Sequence, residues 1–381
     1  MKVYLDHAAT TPLDPEVLEA MMPYFTEKFG NASSQHAWGK EAREAVENAR
    51  EIIAKALNVE PHEVIFTSGG TESNNFAIKG IAFANKEKGR HIITQKTEHE
   101  SVLNPCRWLE KLGFEVTYLD VDEYGMVRPE DVENAIRKDT ILVTIMHANN
   151  EIGTIQPIEE IGKICKEHDV YFHTDACQSF TKEPLDAKRF NLDLITVNAH
   201  KIYGPKGVGA LIIRESVKIT PLAHGGGHEF GMRSGTENVP GIVGFGKAVE
   251  IASPKDVEYM RKLRDRLIKG VMGEIEEVKL NGHPTKRLCN NANFTFYGIE
   301  GDALVFRLDS RGIACSAGSA CSSHTLKPSH VLLAIGLKPE EARGSLRMSV
   351  GKENTEEEIK YTIEVLKEEV SELRKISPLK A

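Results

Sequence analysis

Between residues 64 and 214 the chain alternates short apolar runs with longer amphipathic stretches. The runs occupy 64–66, 92–95, 116–121, 141–146, 170–173, 192–197 and 208–213. Strand-length runs separated by helix-length stretches predict an α/β fold with a mostly parallel, seven-stranded sheet flanked by helices. Such sheets bind ligands outside the carboxyl ends of their strands. The stretch from Ser68 to Thr71, with His99, Asn150, Asp175, Gln178, His200 and Lys201, follows the ends of these runs. The pattern therefore predicts one composite site.

Lys201 lies in Asn198-Ala199-His200-Lys201-Ile202-Tyr203-Gly204-Pro205, directly after the sixth run. At the end of a buried strand the ammonium form is disfavoured, and a neutral lysine can form a Schiff base with an aldehyde cofactor. A strand-end lysine taken alone more often just reaches water. Three further segments supply what pyridoxal phosphate requires. In Phe172-His173-Thr174-Asp175-Ala176-Cys177-Gln178 a strand end presents a carboxylate and, three positions on, a carboxamide. A buried carboxylate beside the pyridine nitrogen keeps it protonated, and Gln178 can reach the phenolic oxygen. In Thr67-Ser68-Gly69-Gly70-Thr71-Glu72 a glycine turn opens a helix running to about residue 88. Its first amides and the Thr71 hydroxyl suit a phosphate. In Thr97-Glu98-His99-Glu100-Ser101 an imidazole is placed to stack on the ring and shuttle protons.

Together and in this order, the segments resemble pyridoxal phosphate enzymes of the aspartate-aminotransferase fold, and within it the cysteine desulfurases of the NifS/IscS group. The resemblance runs from Tyr4-Leu5-Asp6-His7-Ala8-Ala9-Thr10-Thr11-Pro12 to the C-terminal helix. Its most specific piece is Cys315-Ser316-Ala317-Gly318-Ser319-Ala320-Cys321-Ser322-Ser323. The resemblance implies that Cys321 takes sulfur from L-cysteine as a persulfide, leaving L-alanine. It also implies that Asn150 contacts cofactor and substrate, and that Thr236 reaches the phosphate of the neighbouring subunit's cofactor in a homodimer. Arg347 is the expected partner of the substrate carboxylate, with Arg343 and Arg233 as competitors. Asn198 replaces the serine usual in the family, although its amide can still serve the phosphate. Sulfur is expected to pass to an IscU-like iron–sulfur scaffold protein and other acceptors, including those of tRNA thiolation. Cys321 is then also a transient [2Fe–2S] ligand shared with that scaffold. The rival readings are a selenocysteine lyase, an aminotransferase or a silent scaffold; an aminotransferase has no use for the Cys321 segment.

Composition bounds these readings. With 381 residues, two domains sharing a large core are expected. A net charge of −8 argues against a general grip on nucleic acid. No apolar run approaches the roughly 18–20 residues of a membrane span, and the first residues lack a signal-peptide core, so a cytoplasmic protein is expected. The six cysteines form no Cys-x-x-Cys pair. In a reducing compartment the reactive thiol is expected in the small-residue stretch around Cys321, while Cys315 closes an apolar run and belongs to the core. Near Ala252-Ser253-Pro254 the pattern changes to α+β. A charged helix follows, then strands near 294–297 and 345–350, a helix over 301–311, and a last helix capped by Thr355 with Glu358 three positions on. By resemblance the large cofactor-binding domain spans 14–254, and the small domain takes 1–13 with 255–381.

Overall fold

The computed structural model describes residues 1–317 and 328–377. In chain order the strands are β1 (Val3–Tyr4), β2 (Val64–Thr67), β3 (His91–Gln95), β4 (Glu115–Leu119), β5 (Thr140–Thr144), β6 (Tyr171–Asp175), β7 (Leu194–Asn198) and β8 (Gly209–Ile213). They are followed by β9 (Val278–Asn281), β10 (Asn291–Phe296), β11 (Ile313–Ala314) and β12 (Ser345–Ser349). The seven apolar runs become one seven-stranded sheet of order β2-β8-β7-β6-β5-β3-β4. Its strands are parallel except β8, which runs antiparallel to both β7 and β2. Two reversals restore direction, so β2 also points its carboxyl end toward the shared edge.

Alternate residues of each strand enter different cores. Phe66, Ile93, Val143, Phe172, Ile195 and Ile212 pack on one face with Val46 and Ile53 of the helix Ala37–Leu57. Ile65, Ile92, Leu142, Leu194 and Leu211 pack on the other with Phe76 and Ile81 of the helix Gly70–Asn85. Helices on both faces explain why these strands read as unbroken apolar runs. Phe172 is fully buried, and Phe172→Ala would cost about 3–5 kcal/mol through the cavity it leaves.

A third core joins Val3 and Leu5 to Leu263, Phe294, Phe296, Leu346, Met348 and Leu366. It underlies the antiparallel sheet β12-β10-β9 and the parallel pair β1-β11. The last helix, Glu356–Ile376, has the expected capping box at Thr355 and Glu358. β10 begins at Asn291, earlier than hydropathy predicts. Its polar residues are buried, and two of them are paired across the sheet: Asn281 Nδ2 donates to Asn293 Oδ1 and Thr295 Oγ1, both at 2.8 Å.

Candidate active site

The carboxyl edge of the large sheet encloses a cavity of about 220 Å³. Strand ends β2, β3, β5, β6 and β7 supply Gly70, Thr71, His99, Asn150, Asp175, Gln178, Asn198, His200 and Lys201 to its wall. All nine come from the expected set. Wider surface clefts of about 310 and 520 Å³ lie elsewhere, but their walls do not draw on these strand ends.

The turn between β2 and its helix depends on glycine. Gly69 has φ +149°, closed to ordinary side chains, and a Cβ on Gly70 would meet Cys177 Sγ at 2.6 Å. The helix Gly70–Asn85 thus starts against the cavity, where its first amides lack intrahelical acceptors. Glu72 in that first turn is neutralised by Arg233, with Nε to Oε1 at 2.9 Å, so its charge does not oppose an anion there. The helix ends at Asn85, slightly before the predicted limit.

Asp175 is the last residue of β6 and is buried. Burial alone would raise its pKa. The Cys177 backbone N–H at 2.9 Å, the neighbouring His99 and the Asn74 amide outweigh that, and the carboxyl is held below its usual range. It remains ionised at neutral pH. His99 is the N-cap of the helix Glu100–Glu110, its Nδ1 accepting from the Ser101 N–H at 3.1 Å. Burial, reinforced by Lys201, lowers its pKa and keeps the ring neutral. His200 is likewise pushed down to about 4 by burial and by Lys201.

The lysine turn is pinned from a distant part of the chain. Thr11 Oγ1 donates to the His200 carbonyl at 2.9 Å and accepts from the Tyr203 N–H at 2.8 Å. Gln178 Nε2 donates one hydrogen to the Ala8 carbonyl at 2.9 Å, so only its second N–H can serve the phenolic oxygen. Gln178 Oε1 and Asn198 Oδ1 are buried without protein partners. The wall therefore offers a fixed carboxylate, an amine, a neutral imidazole, helix-start amides and unspent amide groups. This donor set fits pyridoxal phosphate.

Two expected residues among those described, Arg347 and Thr236, lie outside that wall. Arg347 is buried beside it, with Nη2 on Asp6 Oδ1 at 2.9 Å and Nη1 on the Asn150 carbonyl at 3.0 Å. Within this chain it holds the Asn150 backbone, and only its Nε is without a partner. Thr236 is exposed and does not line the cavity. Cys321 lies outside the described residues. Cys315 follows β11 and is buried, its thiol pushed up to about 12 by burial, as a core cysteine would be. Among the described residues no cluster of His, Cys, Asp or Glu could hold a metal ion.

Sequence reading missed Asn74, Ser101, Met146, Ala148 and Cys177, all in the wall. Asn74 had a readable signal: it stands three and four positions after Thr71 and Gly70, on the same face of their helix.

The class-V aminotransferase family model matches residues 3–362. The cysteine desulfurase IscS of Dictyoglomus turgidum is 56% identical over 382 residues, covering 100% of this chain and 97% of that protein. The cysteine desulfurase IscS of Methanosarcina thermophila is 57% identical, covering 99% and 94%. A solved NifS-like protein superposes with a TM-score of 0.91 at 41% identity, covering 98% and 100%. SspA, solved in complex with cysteine, superposes with a TM-score of 0.84 at 43% identity, covering 93% and 100%. The chain belongs to the class-V aminotransferase family, within its cysteine desulfurase group.

Proposed function

We propose that Cys321, Lys201, His99 and Asp175 carry out a pyridoxal phosphate-dependent desulfuration of L-cysteine to L-alanine. The observation that carries this assignment is the convergence of Asp175, His99, Lys201 and the Gly70–Thr71 helix start on one cavity. When bound, pyridoxal phosphate withdraws electrons from the substrate and stabilises negative charge at its Cα. Lys201 would be the residue that holds the cofactor. Asp175 would keep the ring nitrogen protonated, His99 would serve the ring face, and Gly70, Thr71, Asn198 and His200 would hold the phosphate. Gln178 serves the phenolic oxygen with its remaining N–H.

Asn150 and Arg347 orient the substrate. The Arg347 guanidinium, already tied to the Asn150 carbonyl, places its charge beside the substrate-binding end. Cys321 attacks the substrate sulfur as a thiolate. A sulfur–sulfur bond forms, the Cβ–S bond breaks, and its electron pair stays with the carbon fragment, which takes up a proton on the way to alanine. The persulfide on Cys321 is then passed to an acceptor. An IscU-like scaffold protein is the proposed partner, with Cys321 a transient [2Fe–2S] ligand during that transfer.

The proposed domains are 14–254, and 1–13 with 255–381; the shared core of Val3 and Leu5 with Leu346 and Leu366 supports the second. A homodimer is proposed because Thr236 is exposed and stands apart from its own cavity. No helix among the described residues is long and apolar enough to cross a membrane. A cytoplasmic setting suits a protein whose function needs a reduced thiol.

The test is to incubate purified enzyme with L-cysteine and quantify the products. Alanine and sulfane sulfur in equal amounts are expected. A keto acid formed instead, by exchange of the amino group, would favour the aminotransferase reading.

A further inference from the structure

Behind the cavity wall lies a hydrogen-bonded chain whose direction can be worked out bond by bond. Asn74 is fully buried in the first turns of the helix Gly70–Asn85. Its Nδ2 lies 2.7 Å from Asp175 Oδ2 and 2.8 Å from Ser101 Oγ. Ser101 Oγ lies in turn 2.7 Å from His99 Nδ1.

Asp175 is ionised and can only accept, so Asn74 must turn its NH₂ toward it. The reversed amide would set two acceptors 2.7 Å apart. The second amide hydrogen then points to Ser101 Oγ, which accepts it. With that lone pair engaged, the Ser101 hydroxyl proton goes to its other neighbour, His99 Nδ1. Nδ1 also accepts the Ser101 backbone N–H at 3.1 Å. A nitrogen accepting two hydrogen bonds carries no proton, so the neutral ring keeps its hydrogen on Nε2. Asn74 Oδ1 is buried without a partner. Both amide hydrogens are used at the expense of its oxygen.

We propose that Asn74 and Ser101 are positioning residues for the desulfurase reaction, fixing His99 in the tautomer that carries its proton on Nε2. The inference rests on the reading of Asp175 and His99 as the residues that serve the cofactor. One relay then sets both groups. The negative charge that keeps the ring nitrogen protonated also dictates, three hydrogen bonds away, that His99 presents a donor. His99 in the resting enzyme can deliver a proton from Nε2 and cannot take one there. Lys201, Asp175, Glu100 and His330 are the charged or titratable groups that act on this ring. Lys201 disfavours a second ring proton, and burial does so more strongly.

The decisive measurement is nitrogen-15 NMR of histidine-labelled protein, first without cofactor and then with it, His99 being assigned by its loss in His99→Gln. The expected spectrum shows Nδ1 unprotonated and Nε2 protonated near neutral pH in both forms. Ser101→Ala keeps the backbone N–H but loses the shorter hydroxyl bond, and should raise the share of the tautomer protonated on Nδ1 to a detectable level. Its kcat for alanine formation should fall about tenfold or more with KM little changed, a part of the usual contribution of general acid–base catalysis. Ser101→Thr, which keeps the hydroxyl, should restore both readouts. A protonated Nδ1 in the parent protein overturns the proposal, as does a Ser101→Ala variant with unchanged tautomer and turnover. Because the cofactor-free spectrum needs no turnover, failure of the relay is distinguishable from failure of the desulfurase assignment.

Discussion

Lys182 Nζ donates to the backbone carbonyl of Lys201 at 3.0 Å, and to that of Gln178 at the same distance. One buried lysine thus braces the backbone under two residues assigned to the cofactor. Its pKa is pushed down to about 8, chiefly by burial and further by Lys201.

Replacing that brace should be costly. Lys182→Met leaves two carbonyls in the interior without their donor, a loss of about 1–3 kcal/mol for each group left unsatisfied. Thermal unfolding of the cofactor-free variant should come at a lower temperature than in the parent. An unchanged melting temperature would mean that the carbonyls find other donors.

Glu98, beside His99, gives a pH-dependent stability term. Burial raises its pKa from 4.5 to about 8, against the Met146 N–H and the Gln95 amide, which lower it. Between these two values the folded protein holds a proton that the unfolded chain has released. Stability is therefore full below pH 4.5 and falls by about 1.4 kcal/mol per pH unit up to pH 8. Glu98→Gln cannot ionise and should lose this slope. Melting temperatures of parent and variant across pH 5–8 should diverge in favour of the variant as pH rises. Parallel curves would contradict the assignment.

Asp175→Asn keeps a hydrogen-bonding group but removes the charge that holds the ring proton. Alanine formation should drop by orders of magnitude while part of the cofactor stays bound, which the absorbance near 400 nm reports. Turnover near the parent rate would mean that another group supports the ring nitrogen.

The two cysteines near the small-residue stretch separate cleanly. Cys321→Ser should abolish alanine formation and leave the cofactor spectrum intact. Cys315→Ser should cost stability at most, because that thiol is buried and held protonated. Alkylation and mass spectrometry after one turnover locate the sulfur, which is expected on Cys321. Sulfur on Cys315 would exchange their roles.

The strand ends were legible because a parallel sheet buried on both faces writes itself as separate apolar runs, and its chemistry follows each run. Asp175 and Lys201 could be placed that way without knowing any contact. What stayed hidden depends on pairings between distant segments. Thr11 holds the turn carrying Lys201, and Ala8 takes a hydrogen from Gln178. Neither partner is marked by local sequence. The ion pair of Arg347 with Asp6 spans 341 positions, and no local pattern announces it. The start of β10 is hidden from hydropathy because Asn291 and Asn293 are polar, and hydropathy does not register that Asn281 pairs with Asn293 across the sheet.

The central claim is that the cavity at the carboxyl edge of the sheet holds pyridoxal phosphate on Lys201. Borohydride reduction of the enzyme as purified, followed by proteolysis and mass spectrometry, tests it most directly. The pyridoxyl group is expected on Lys201. A label on Lys182, the buried amine that braces the same turn, or on Lys206 would contradict it.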